Sequence, residues 1–276
     1  MEDLLSALLS NENDVRILAE TSYTKLKNSN PHDLIIGLTE AISNPQMDIR
    51  CLAIVLLRGF TVREKKLWDS MSQDEIAKIR QFFLEKLEVE SSSHIHKKLV
   101  DCIAANAKLG EWPELFALVG RLINSGAKEH VLLSLELIEK LGEYIGPTLI
   151  QHFDELMGFI CPTLVADDVY VRLNAARALL SLLFEMQTPP ENVFQSIAIS
   201  LEVIRDILMY HGNKLEVEAQ ELLDLLHQLS ETNPNIFYKS KIELFNLLAD
   251  IIRTKIVSED LQVVVIETLS ELVASK

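Results

Sequence analysis

The chain has 276 residues, 48% of them hydrophobic, with 9 glycines, 8 prolines and 6% aromatic side chains; this is enough apolar material for a continuous core, and the Leu, Ile, Ala, Glu and Lys bias favours an all-helical protein. No run alternates apolar and polar residues for long enough to argue for a sheet. The net charge of −15 is uneven, −2 over residues 1–110 and −13 over residues 111–276, which disfavours nucleic acid and anionic membranes and favours basic protein partners.

The opening MEDLLSALLS carries acid where a secretory signal needs base, so no signal peptide is expected and a first helix is predicted over 2–10. No stretch approaches the ~18 uninterrupted apolar residues of a membrane span. Proline then marks a series of helix starts, because its missing N–H costs nothing in the first turn. Pro31, Pro113, Pro147, Pro189 and Pro234 each precede a long apolar-periodic run. Asn30-Pro31 and Asn233-Pro234 place an N-capping side chain before the proline. Ser72–Glu75 and Thr188–Glu191 read as capping boxes. Starts near 31, 72, 113, 147, 189 and 234 lie 34 to 45 residues apart, the period of HEAT and armadillo units rather than of 34-residue tetratricopeptide units.

A second series falls between these starts. Asp14-Val15-Arg16, Asp48-Ile49-Arg50 and Asp168…Val171-Arg172 each open a helix and place a small residue three positions after the arginine: Ala19, Ala53 and Ala175. Small residues allow neighbouring helices to approach to ~8–10 Å. Weaker versions begin near Ser93, Ala127, Asn213 and Ser258. The A helices are predicted over 2–10, 31–43, 72–89, 113–124, 147–164, 190–210 and 234–256, and the B helices over 14–27, 48–60, 94–109, 128–143, 168–185, 214–230 and 259–274. Apolar stripes support the last B helices: Leu215, Ala219, Leu222, Leu223, Leu226 and Leu229, then Leu261, Val264, Val265, Thr268, Leu269 and Leu272. The expected fold is an all-α α-solenoid superhelix of about seven HEAT repeats, a single array over 1–276.

Catalytic constellations are absent: no glycine-rich phosphate loop, GxSxG or HExxH occurs. His94 and His96 are read as residues of an N-terminal turn, not metal ligands. Cys51, Cys102 and Cys161 are scattered and form no CxxC, the pattern of reduced core thiols. Arg63, Lys65 and Lys66 have no interleaved aromatics and read as a solvated connector. Arg16, Arg50 and Arg172 are expected to pair with acids of neighbouring repeats. No catalytic, cofactor or metal site is expected.

Four segments carry a family resemblance. Asn13–Glu20 with Tyr23, Ile49–Arg58, His96–Ala104 and Glu111-Trp112-Pro113-Glu114-Leu115 resemble, in order and spacing, the first three B helices and the fourth A helix of importin-β (karyopherin-β) nuclear transport receptors, most closely the importin-4/importin-5 branch. The resemblance covers residues 1–125; beyond it the match is to HEAT repeats in general. It implies an N-terminal fragment of a longer, non-enzymatic import receptor that shuttles between cytoplasm and nucleus. The implied partners are the Ran GTPase in its GTP form, phenylalanine-glycine repeats of pore proteins, and basic protein cargo. By position it implies Glu20, Arg58, Asp101 and Asn106 as Ran-facing residues, the last departing from the acid usual there. It also implies a convex slot for a phenylalanine ring, with Met157 and Cys161 on one wall and Glu191, Phe194 and Gln195 on the other. A HEAT scaffold without Ran dependence (a phosphatase scaffold, a tubulin-binding array or an assembly factor) shares the fold and remains the alternative.

Overall fold

The computed structural model describes residues 1–184, 186, 191–211, 214–254 and 259–274. The chain falls into two compact units, Met1–Leu118 and Val119–Lys276. The first holds α1 (Glu2–Leu8), α2 (Asn13–Ser29), α3 (Pro31–Ala41), α4 (Met47–Arg63), a 3-10 turn (Lys65–Ser70), α5 (Gln73–Val89) and α6 (Ser93–Ala107). The division falls within α7 (Pro113–Asn124). The second unit continues with α8 (Lys128–Leu149), α9 (Phe153–Leu164), α10 (Val169–Leu183), α11 (Glu191–Asp206), α12 (Glu216–Thr232), α13 (Lys241–Thr254) and α14 (Glu259–Ala274).

Each unit is built from antiparallel A–B pairs whose B helices also pack on one another: α4 on α6 in the first unit, and α8, α10, α12 and α14 in succession in the second. The fold is therefore an α-solenoid, in which an amphipathic pair hides its second face against the next pair. Cores are aliphatic. Leu34, Ile35, Leu38, Leu57, Phe83 and Ile95 are fully buried in the first unit, each contributing about 1.5–3 kcal/mol by burial. In the second, α8 and α10 approach closely because Gly142 faces Ser181: a Cβ at 142 would lie 2.4 Å from Ser181 Oγ. That hydroxyl donates to the Glu139 carbonyl at 2.7 Å.

The caps explain most helix starts. The Asp33 amide donates to Asn30 Oδ1, with Pro31 at the first helical position. The Ser72 capping box is closed in both directions, with the Ser72 amide 2.9 Å from Glu75 Oε2 and the Glu75 amide 3.3 Å from Ser72 Oγ. Asp168 accepts from the Tyr170 and Val171 amides. The three Asp/Arg helix starts share a further device. Arg16, Arg50 and Arg172 each donate Nη1 to the carbonyl six residues back, of Ser10, Asn44 and Ala166, tying the A–B turn to its B helix. Arg50 and Arg172 then reach neighbouring repeats, at 3.5 Å from Glu90 and 2.6 Å from Asp206. Arg16 does not, and instead lies 4.0 Å from Glu20 on its own helix. Ala19, Ala53 and Ala175 are buried.

Two proline starts depart from the expectation. Pro147 opens no helix running to 164. It lies inside α8, beyond a break at Ile145 (φ −133, ψ 26), and a 3-10 turn, Ile150–His152, precedes α9. Proline has no amide to close onto the Glu143 carbonyl, and the helix breaks between the two residues. Pro234 opens a 3-10 turn, Pro234–Phe237, and α13 begins only at Lys241. Ile236 and Phe237 are fully buried and hold that turn in the core. Asn233 does not cap it; its side-chain Nδ2 donates to the Met186 carbonyl. The Thr188–Glu191 capping box and the helix starts near Asn213 and Ser258 lie outside the described residues.

Arg63 and Lys66 are exposed as expected, but their connector is a folded 3-10 turn pinned by the fully buried Trp68. No helix of the described residues is long and apolar enough to cross a membrane.

The link between α3 and α5 is pH-dependent. His32 Nε2 lies 2.8 Å from Glu75 Oε1. Hydrogen bonds from the Ser72 hydroxyl and amide, and then from His32, hold the Glu75 carboxyl down at about 2. The bond to Glu75, followed by that to Asp33, raises His32 above its usual range. Glu75 therefore stabilises the fold above its unfolded value and loses that contribution as pH falls toward about 2. His32 contributes fully below its unfolded value and loses its contribution as pH rises through the raised one. The link is at full strength between about pH 4.5 and 6.5. In urea titrations His32→Gln is expected to be less stable than the unsubstituted chain at about pH 6 and equal to it at about pH 9. A pH-independent difference would show that the imidazole acts by packing alone.

Candidate binding surfaces

The B helices of the first unit carry an incompletely covered face. On α4, Val55, Arg58 and Val62 fall on one stripe by helical spacing; Val55 and Val62 are exposed. Arg58 Nε lies 2.6 Å from Asp101 Oδ2 on α6, so two of the residues singled out by resemblance form an inter-repeat ion pair. The pair is partly exposed and worth little to stability, but it fixes where both charges stand.

On α2, Ala19 is the buried residue, while Val15, Ile17 and Leu18 are exposed, Leu18 at 69%. Exposed apolar side chains grouped on one element mark an interaction surface more often than chance. Sequence reading missed this feature. Its signal was the run Val15-Arg16-Ile17-Leu18-Ala19, in which apolar residues occupy more of the helix circumference than a single packed side requires. Glu20 is exposed beside them. Toward the end of the helix, Tyr23 stacks on Phe60 with ring centroids 6.3 Å apart. Its hydroxyl is pushed up to about 12 by burial and then by the Glu64 carboxylate. Lys27 pairs with that carboxylate.

Asn106 is not open to this surface. It is fully buried, because Arg80 reaches across from α5 and donates Nε to Asn106 Oδ1 at 3.2 Å and Nη2 to its carbonyl at 3.2 Å. Cys102 is a core thiol as expected, fully buried and pushed up to about 12 by burial and then by Asp101. His94 is exposed at the start of α6; His96 is half-buried, and burial pushes it below its usual range.

In the second unit, α9 and α11 pack together as the slot requires. Met157 is buried in α9, and Cys161 Sγ lies 3.2 Å from Ser196 Oγ of α11. Ser196, not Phe194, is therefore the α11 residue facing Cys161. Phe194 lies about 200° away around the helix, half-buried beneath Lys239, whose Nζ is 5.0 Å from the ring centroid. Gln195 is exposed between them. The side chain of Glu191 lies outside the described residues. Of the α11 residues at this seam, Ser196 meets Cys161 and Phe194 meets Lys239.

The B helices α8, α10 and α12 are cross-linked by charge. Arg177 of α10 bonds Glu221 of α12 through Nη2, and its Nε lies 4.0 Å from the buried Glu139 carboxylate of α8. Burial raises Glu139 above the usual carboxylate range against the pull of Arg177 and Lys140. Part of the acidic charge of residues 111–276 is thereby engaged inside the fold.

Solved structures of similar fold extend over nearly the whole chain. Kap121p bound to RanGTP matches with a TM-score of 0.74 at 19% identity, covering 97% of this chain and 25% of that one. Kap121p bound to Pho4p gives 0.74 at 19%, covering 97% and 26%. Kap121p bound to Nup53p gives 0.72 at 18%, with the same coverage. The chain thus spans about a quarter of the length of these structures, and at such identities the likeness establishes the fold. No curated protein sequence matches the chain. Residues 91–247 match the family model described as IPO5-like, TPR repeats. That description names tetratricopeptide units, whereas the A helices α3, α5 and α7 begin at 31, 73 and 113, at the longer HEAT interval; both are stacked helix pairs. The match covers more than half of the sequence, and the chain belongs to this IPO5-like family.

Proposed function

We propose that the chain is the N-terminal HEAT array of a longer nuclear import receptor, closest to the importin-4/importin-5 branch, and that it acts as a non-catalytic scaffold shuttling between cytoplasm and nucleus. The observation that carries this reading is the family match over residues 91–247. The surface of the first unit supports it: Ile17 and Leu18 on α2, and Val55 and Val62 beside the Arg58–Asp101 pair, offer apolar area next to ordered charge. That surface takes Ran in its GTP form, with Glu20, Arg58 and Asp101 as the polar contacts. Asn106, being buried, acts behind the surface rather than on it.

Phenylalanine-glycine repeats of pore proteins bind the A-helix side at the α9–α11 seam, where Cys161 and Ser196 mark the line of contact. Basic cargo is drawn to the acidic residues 111–276. Because each helix pair touches only its neighbours, a GTPase on the first repeats biases the curvature available to cargo, and by linkage cargo weakens the GTPase in return.

The test is a calorimetric titration of the 276-residue chain with Ran loaded with a non-hydrolysable GTP analogue or with GDP. Binding of the GTP form alone is expected, weakened about tenfold or more by Leu18→Asp or Arg58→Glu. Equal binding of both nucleotide forms, or of neither, would remove Ran from the reading and favour a HEAT scaffold without GTPase dependence.

A further inference from the structure

A groove of about 820 Å³ lies between the exposed side of α5 and the turn leading into α7, wholly within the unit Met1–Leu118. Its volume is in the range of peptide and small-ligand sites, roughly 300–1,000 Å³. Ile76, Ala77, Phe82 and Pro113 supply an apolar surface, with Ala77 and Pro113 exposed and the other two half-buried. Four carboxylates line it: Asp74, Glu85, Glu111 and Glu114, all exposed. Among the described residues none of the four closes an ion pair, although Glu85 accepts a hydrogen bond from Gln81 at 2.9 Å.

Two cations also line the groove, Lys78 and Arg80. Arg80 is engaged by partners of its own unit. Its guanidinium lies 4.8 Å from the Trp112 ring centroid and donates to the carbonyls of Asn106, Gly110 and Glu111. Each of its three nitrogens donates to at least one acceptor, so the groove presents four carboxylates around an apolar floor, with Lys78 in its lining and Lys86 Nζ 5.2 Å from the Phe82 ring centroid. Such a surface repels nucleic acid and acidic peptides, and an uncharged apolar segment would leave the carboxylates unused.

We propose that this groove docks a linear peptide segment in which an apolar side chain is flanked by lysine or arginine. The apolar group lies over Ala77 and Phe82, and the cations meet Glu111 and Glu114 on one side and Glu85 on the other. The site is separate from the surfaces given to Ran and to phenylalanine-glycine repeats, so the Ran titration and the peptide titration succeed or fail independently.

The probe is a fluorescein-labelled decapeptide with a leucine–phenylalanine pair flanked on each side by two lysines, read by fluorescence anisotropy with the 276-residue chain. Counterpart peptides carry serine or glutamate in place of lysine. The lysine peptide is expected to bind about tenfold or more tightly than the serine peptide, and the glutamate peptide not at all. Because the net charge of −15 attracts cations elsewhere, localisation decides the matter. Ala77→Trp fills the groove without changing charge and is expected to weaken binding about tenfold. The paired substitution E111Q/E114Q should weaken it and flatten its salt dependence. E243Q/E267Q, at exposed positions of the other unit, should do neither. All are at exposed positions, and if Ala77→Trp fails to fold the glutamine pair carries the test alone. Amide exchange should slow over α5 and residues 110–114 when the lysine peptide is bound. The proposal is overturned if the lysine peptide does not bind, if the serine peptide binds as tightly, or if E111Q/E114Q binds like the unsubstituted chain.

Discussion

Replacing Arg177 with methionine is expected to lower the stability of the unit Val119–Lys276 by about 3 kcal/mol at neutral pH, because it strands a buried carboxylate. Glu139 is 8% exposed and Arg177 stands between it and Glu221. With the guanidinium gone, Glu139 retains only Lys140 Nζ, 3.8 Å away, as a cationic neighbour among its ion pairs. The pH dependence gives the loss a signature. The folded value of Glu139 is raised, chiefly by burial, so its contribution is fully present below the unfolded value of about 4.5 and is lost as pH rises through the folded one. Arg177→Met raises Glu139 further and extends that declining limb toward neutrality. Glu139→Gln removes the limb, since a neutral amide keeps the shape without the charge. The double variant should then regain most of what Arg177→Met loses, a coupling of about 1–3 kcal/mol. Urea denaturation of the four chains at about pH 5 and pH 8 measures it. Coupling below about 0.5 kcal/mol at both values would mean that Arg177 acts through Glu221 and packing rather than through Glu139.

Arg80→Ala should be nearly as costly in the other unit, about 2–3 kcal/mol. The side chain joins α5 to the C-terminal end of α6 and to the turn that follows. It donates to Asn106 Oδ1 and to the carbonyls of Asn106, Gly110 and Glu111, the last at 2.7 Å, while covering the nearly buried Trp112. Hydrogen bonds from a charged group are worth about 1.5–3 kcal/mol singly, but those to Gly110 and Glu111 are exposed, and water replaces them at little cost. The buried Asn106 amide has no such substitute. Its Nδ2 already lacks a partner, so removing Arg80 leaves both ends of the amide unsatisfied. Lysine should recover less than half of the loss, because a point ammonium cannot reproduce a planar fork with several acceptors or stack on an indole in the same way. Gly110 (φ +144) turns the chain so that its carbonyl faces the fork. Amide exchange should therefore accelerate first over residues 107–112. A loss below about 1 kcal/mol, or full rescue by Arg80→Lys, would refute this account.

How far the sequence could be read depends on the range of each signal. Helix starts at Pro31, Ser72 and Asp168 were legible because a cap is a contact between residues two or three apart. The B-helix arginines were legible as structural for a similar reason, although the carbonyl six residues back, shared by Arg16, Arg50 and Arg172, appears only in three dimensions. Pro147 and Pro234 misled. A proline states where an amide is missing but not whether the following residues continue as an α-helix, and Ile236 and Phe237 are drawn into the core as a 3-10 turn. Trp68 in the connector was the visible clue that the segment after Arg63 is a folded turn.

The candidate surfaces were less legible, because a helix stripe does not say which neighbour will cover it. Asn106 shares α6 with Asp101, yet Arg80 buries one while Arg58 holds the other at the surface. Phe194 and Ser196 are two residues apart and meet different neighbours, Lys239 in the turn before α13 and Cys161 on α9, which sequence order does not show. By itself the sequence determined an all-helical chain of stacked pairs, its repeat interval, most of its helix starts and its resemblance to karyopherin-β proteins, since periodicity, capping and local motifs act over a few residues. Only the tertiary structure decided which charges meet across repeats, which polar side chains are buried and where apolar surface stays open, since these depend on the rotation and crossing of helices some 40 residues apart.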